Sequence, residues 1–116
     1  MALQIKEQEL DGITILGISG RVTLGEASHQ LRTKLKDLLA AGKSKVVLDL
    51  ADVGYIDSAG LGTLVAGYTS ARNGGATLKL ANLTKKIKDQ MHITKLVTVF
   101  ETYDSVDEAI KSFGAA

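Results

Sequence analysis

The residue with the clearest chemical potential is Ser58, set in the run Tyr55-Ile56-Asp57-Ser58-Ala59-Gly60-Leu61-Gly62. A serine between a strand and a helix, with glycine two residues on, invites comparison with the nucleophile elbow of hydrolases. That turn also needs glycine two residues before the serine, and this chain has Ile56 there. Gly60-Leu61-Gly62-Thr63-Leu64-Val65 is a partial dinucleotide fingerprint, but Val65 replaces the third glycine and no acid lies about 20 residues further on. Gly60 and Gly62 therefore read as glycines that let a helix approach a sheet closely. The histidines, His29 and His92, have no second histidine or paired carboxylate at metal-ligand spacing. The chain has no Cys, which removes thiol nucleophiles, thiolate metal sites and disulfides together. What remains is Asp57-Ser58: an acid suited to capping a helix, followed by a hydroxyl at the helix start. Free backbone amides and the positive end of the helix dipole equip such a position to receive a phosphate.

Chemistry at Ser58 needs a scaffold, and 116 residues with 45% hydrophobic composition supply one domain, spanning residues 1–116, with no room for a second core. Fourteen Lys and Arg against 13 Asp and Glu leave a net charge of +1, so charge gives no indication of nucleic acid as a partner. Lys79, Lys85, Lys86, Lys88 and Lys95 cluster without interleaved aromatic residues and read as a solvated helix face. Glu101, Asp104, Asp107 and Glu108 read as acids matched to a helix dipole. No apolar run approaches a membrane span, and Met1 to Leu10 lacks the pattern of a signal peptide, so the expectation is a cytoplasmic protein.

The elements follow from the switching hydrophobic period. Leu3 and Ile5 alternate with polar residues, and Asp11-Gly12 turns the chain before Ile13, Ile15, Leu16 and Ile18, predicting an antiparallel hairpin with a charged outer strand. Thr23-Leu24-Gly25-Glu26 matches a capping box, opening a helix with Leu24, Ala27, Leu31, Leu35, Leu38 and Leu39 on its apolar stripe and Gly42 as its stop. Val46 to Leu50 predicts a central strand buried on both faces, followed by a loop over residues 51–56. A second helix begins at Ser58 and ends at Asn73-Gly74-Gly75. Leu78 and Leu80 predict a strand, Leu83, Ile87 and Met91 a short helix, and Leu96 to Phe100 a last strand. Val106, Ala109, Ile110 and Phe113 form a closing helix, capped by Asp104 or by Ser105 with Glu108. The order β-β-α-β-α-β-α-β-α implies an α/β fold: a mixed, mostly parallel five-stranded sheet with about four helices largely on one face.

Val47-Leu48-Asp49-Leu50, the run Tyr55 to Gly62, Gly74-Gly75, Leu78-Lys79-Leu80 and Val99-Phe100 closely resemble the STAS domain of bacterial anti-sigma factor antagonists, over essentially the whole chain. The resemblance implies that family's β-α superhelix and a partner-switching regulator of transcription rather than an enzyme, with no cofactor. In such systems the dephosphorylated antagonist binds an anti-sigma factor that is itself a serine kinase, and so frees the sigma factor. The kinase phosphorylates the antagonist and a PP2C-type phosphatase resets it. Carried over by motif position, Ser58 is the phospho-acceptor, Asp57 the acid beside it, and Ala59, Gly60, Leu61 and Gly62, with Thr23, shape the partner-binding surface. Two positions depart from the common pattern: Ala59 stands where many antagonists have Ser or Thr, and Thr23 where many have Asp, which leaves the loop less negative. A monomer is the default. Free-standing domains of this fold also serve membrane-associated lipid transporters as accessory binding subunits, which is the second function the resemblance allows.

Overall fold

Asp11 and Gly12 both take positive φ, 53° and 78°, the conformation that a two-residue hairpin turn requires of its central pair. In the computed structural model, which describes residues 3–114, this turn joins β1 (Gln4–Leu10) to β2 (Ile13–Val22) in antiparallel register, with Leu10 opposite Ile13. The charged side chains of β1 lie along the sheet edge, where Glu7 pairs with Lys34 and Glu9 with Lys43. An edge strand dressed in charge resists pairing with another chain.

From β2 the chain steps one strand at a time through α1 (Glu26–Ala40), β3 (Lys45–Ile56), α2 (Ser58–Asn73), β4 (Thr77–Ala81), α3 (Lys85–Ile93), β5 (Thr102–Tyr103) and α4 (Val106–Ser112). The sheet order is β1-β2-β3-β4-β5, and every pair after the first is parallel. The five strands and the one-way progression agree with the topology expected from the element order.

Strand periodicity divides the core in two. Leu16 and Ile18 of β2, Val46, Leu48 and Leu50 of β3, and Leu78 and Leu80 of β4 point to one face. There they pack with Ala27, Leu31, Leu35 and Leu38 of α1, Leu61 and Leu64 of α2, and Ile87 and Met91 of α3. Ile13, Ile15, Val47 and Ala81 point the other way and are covered by Ala109, Val106 and Ile110 of α4. Three helices thus share one face and the fourth closes the other, so β3 is buried on both sides around Val47, as its near-continuous apolar run implies.

Four local expectations are corrected. The capping box does not form: α1 begins at Glu26, its N-cap is Gly25 at φ 99°, and no side chain caps it. Thr23 instead accepts, through its carbonyl, from the backbone N–H and the hydroxyl of Ser28 at 3.1 and 2.7 Å. The positive φ of Gly25 turns the chain sharply and delays the helix, so Leu24 lies outside the apolar stripe and is 79% exposed. Residues 51–56 are not a loop but the second half of β3. Pairing with β2 continues through two register shifts, between Gly17 and Ser19 and between Gly20 and Arg21, which absorb the broken alternation. Residues 96–100 do not form a strand. Leu96–Thr98 make a 3-10 turn, opened by Lys95 at φ 62°, which sends Leu96, Val97, Val99 and Phe100 back onto the core, and the last strand is only Thr102–Tyr103. Lys79 is not on a helix and is not solvated. It lies in β4 beside Val47, 5% exposed, with its ammonium 2.7 Å from Ser112 Oγ, 3.5 Å from Glu101 and 4.2 Å from the Phe113 ring centre. A register that alternates Leu78 and Leu80 inward leaves Lys79 facing α4.

Candidate functional site

The run around Ser58 sits where β2 and β3 end together. Val22 pairs with Ile56, and the Val22 carbonyl then accepts from Asp57 N–H at 3.2 Å, so the last ladder bond reaches into the first residue of the site. Asp57 is the N-cap of α2 in extended conformation, with Oδ1 accepting from Gly60 N–H at 2.9 Å. Its other oxygen, Oδ2, accepts from Leu24 N–H at 2.9 Å, across to the loop that precedes α1. One carboxylate therefore holds the start of α2 and the 23–25 loop in fixed relation. The amide of Gly60, then that of Leu24, holds the Asp57 carboxyl below the usual carboxylate range, because each bond favours the charged form.

Ser58 follows as the first helical residue and is exposed. Asp57 satisfies Gly60 N–H, which leaves the amide of Ser58 among the orphan donors of the helix start. A depressed carboxyl is a weak base, and both of its oxygens already serve backbone amides, so it is poorly suited to activate the Ser58 hydroxyl. His29 and His92 are exposed, on α1 and in the last turn of α3. No group of three or more metal-ligating His, Asp or Glu occurs among the described residues. The arrangement exposes a hydroxyl at the end of a helix that favours negative charge.

The residues singled out from the sequence are brought together, but they differ in what they expose. Ser58 and Gly62 are exposed, Asp57, Ala59 and Thr23 are half-buried, and Gly60 and Leu61 are buried. A Cβ on Gly60 would meet Val22 O at 2.2 Å and Ile56 Cγ2 at 2.8 Å, so this glycine sets the depth at which α2 meets the sheet. Gly62 has nothing within 4 Å of such a Cβ, and the close-approach reading fails for it; Gly67, with Leu35 Cδ1 at 2.7 Å, takes that role against α1. Thr63 Oγ1 donates to Ala59 O at 3.1 Å and accepts from Arg32 at 3.3 Å, fixing α2 against α1. Gln90 of α3 donates to Ile56 O at 2.7 Å and closes the third side.

Residues not anticipated from the sequence also belong to this rim. Leu24, a core residue by its helical spacing, is instead exposed, with its backbone bonded to Asp57. Arg21 and Lys86 stand over the ring of Tyr55, at 4.9 and 5.1 Å from its centre. Nothing local in the sequence marks either Arg21 or Leu24 as part of this rim.

Comparison with known proteins places this geometry in a family. Residues 4–109 match the STAS domain model. The anti-sigma-B factor antagonist of Bacillus subtilis is 32% identical over 112 residues, covering 97% of this chain and 94% of its own. That of Listeria monocytogenes is 31% identical over 105 residues, 87% of each chain. Among solved structures, the anti-sigma factor antagonist SpoIIAA in its unphosphorylated form superposes with a TM-score of 0.74 at 15% identity, covering 98% of this chain and 99% of its own, a likeness of fold. The chain belongs to the STAS domain family.

Proposed function

We propose that this protein is an anti-sigma factor antagonist, a binding regulator rather than an enzyme, whose dephosphorylated form docks on an anti-sigma factor and releases the sigma factor. The names borne by its relatives support the class of partner. The observation that carries the switch is the exposed Ser58 hydroxyl on the first turn of α2, beside a carboxylate tied to two backbone amides. In this reading the docking surface comprises Ser58, Ala59 and Gly62, with Thr23 and the projecting side chain of Leu24 across the Asp57 bridge. Gly60 and Leu61 contribute by setting the helix in place.

The anti-sigma factor acts as a serine kinase. The γ-phosphoryl group of ATP passes to Ser58 Oγ, the bond to the β-phosphate oxygen breaks, ADP leaves and a base of the kinase takes the hydroxyl proton. In the free protein the new charge is favoured by the helix start by ~0.3 to 1 kcal/mol. In the complex the same ~1.5 to 2 negative charges are desolvated against Asp57 and the partner's surface. Each ~1.4 kcal/mol of that difference weakens binding tenfold, so a few kcal/mol separate bound from free. A PP2C-type phosphatase hydrolyses the ester and restores docking.

The test is incubation with the cognate kinase and ATP, followed by peptide mapping and calorimetric titration of the anti-sigma factor. Ser58→Ala should bind and resist phosphorylation, and Ser58→Asp should bind at least about tenfold more weakly. Phosphate on Ser19, Ser28 or Thr63 instead, or equal binding by Ser58→Asp, overturns the reading.

A further inference from the structure

Beside the Ser58 surface lies a charged patch that neither the switch nor the core uses. The guanidinium of Arg21 and the ammonium of Lys86 stand over the same half-buried ring, Tyr55, at 4.9 and 5.1 Å from its centre. With the bare backbone of Gly54 they line an open cleft. Both cations are exposed. Among the described residues the ion pairs use Lys34, Lys43, Lys79, Lys88 and Lys111, and neither Arg21 nor Lys86 has an acidic partner.

Two local departures from good folding sense place these cations here. The second register shift of the β2–β3 ladder falls between Gly20 and Arg21, and such shifts re-aim the following side chain. Lys85 and Lys86 occupy the first turn of α3, which contains no acid, although that end of a helix disfavours cations. Sequences that break local rules in this way commonly do so at functional surfaces. The patch also lies at the same end of the sheet as the site. Arg21 precedes Val22, whose carbonyl accepts from Asp57 N–H; Tyr55 lies three residues before Ser58; and Lys86 is one turn from Gln90, which bonds Ile56 O.

We infer that Arg21, Tyr55 and Lys86 form a second contact zone for the anti-sigma factor, complementary to a carboxylate-bearing segment of that partner. This rests on the function proposed above. Two unpaired cations braced on an aromatic ring offer a fixed positive field. An open cleft fits side chains on a facing protein surface better than an enclosed small molecule. The reaction partner of such a zone is recognised by charge, which makes its binding sensitive to salt.

The experiment titrates the purified anti-sigma factor into the wild type, Ser58→Asp and the double variant Arg21→Glu/Lys86→Glu, at about 50 and about 300 mM salt. The double variant should bind at least about tenfold more weakly at low salt, with the deficit shrinking as salt screens the repulsion. Arg21→Gln/Lys86→Gln, which adds no repulsion, should show a smaller loss and guards against a misfolded reversal. Unchanged or tighter binding by the reversed variant, while Ser58→Asp still weakens, overturns this inference and leaves the Ser58 reading standing. A wild type that does not bind overturns both. Binding of a single-stranded oligonucleotide that the double variant loses would assign the patch to nucleic acid and also overturn it.

Discussion

Replacing Gly60 with alanine places a methyl carbon 2.2 Å from the Val22 carbonyl oxygen, 2.8 Å from Ile56 Cγ2 and 2.9 Å from Val22 Cγ1. Carbon and carbonyl oxygen approach comfortably only to about 3.3 Å, so α2 must retreat by about 1 Å. Val22 and Ile56 are fully buried and have no space to yield, and the nearest atom is backbone. The retreat stretches the 3.2 Å bond from Asp57 N–H to that same carbonyl. Overpacking costs about 3 kcal/mol and the weakened bond about 1, offset by about 1 from the better helix propensity of alanine. The net loss is about 3 kcal/mol, or a fall of about 12 °C in Tm for a chain this size. Gly62→Ala, two residues along the same helix with nothing within 4 Å, carries only the propensity gain and should melt about 4 °C higher. Gly67→Ala crowds the flexible end of Leu35 at 2.7 Å, with its other neighbours at ordinary contact distance, and should stay within about 1 kcal/mol of wild type. Thermal and urea unfolding of the three variants measure these differences. If Gly60→Ala melts within about 2 °C of wild type, or Gly62→Ala falls with it, α2 does not sit against the sheet as described.

Other perturbations separate the roles of neighbouring residues. Asp57 has a depressed carboxyl in the folded chain, so the stability it contributes is present above the ordinary carboxylate range and is lost as pH falls through its folded value; Asp57→Asn should lower stability at neutral pH, with the gap closing below about pH 4 in acid unfolding curves. Leu24→Ser removes an exposed side chain and should change stability by less than about 0.5 kcal/mol while weakening anti-sigma factor binding about tenfold, read by calorimetry. Lys79→Met replaces a buried ammonium by an apolar chain of like length and should stay within about 1 kcal/mol of wild type. Lys79→Glu sets a carboxylate against Glu101 and the Phe113 ring and should cost about 3 kcal/mol or more, both read by urea unfolding.

The parts legible in the sequence are those where a local signal and the tertiary structure agree. Asp11-Gly12 can hardly serve as anything but a tight turn, Asp57 caps the helix it precedes, and Ser105 caps α4 by accepting from Glu108 N–H at 3.1 Å. The local signal fails where tertiary contacts outbid it. The Thr23 to Glu26 pattern is a sound capping box in isolation, but Leu24 N–H is claimed by Asp57, 33 residues away. The β-branched run Val97-Thr98-Val99 favours a strand by propensity, and the core draws it into a 3-10 turn. Lys79 reads as solvated when grouped with Lys85, Lys86, Lys88 and Lys95, because a lysine carries no sign of which sheet face it will meet. The clustering of Ser58, Ala59 and Gly62 was visible because these residues are adjacent in the chain. Arg21, Tyr55 and Lys86 meet only through the ladder and the start of α3.

The position of Lys79 gives the two sides of the sheet different ways of coming apart. Peeling α1, α2 or α3 away exposes mostly hydrocarbon, with only uncharged hydroxyls such as Thr14 and Thr63 buried among it. Lifting α4 instead returns an ammonium to the hydration it gave up, along with Ser112, and so recovers part of the loss. Of the two sides of the sheet, the α4 side is the one where burial is partly offset by a charge kept from water.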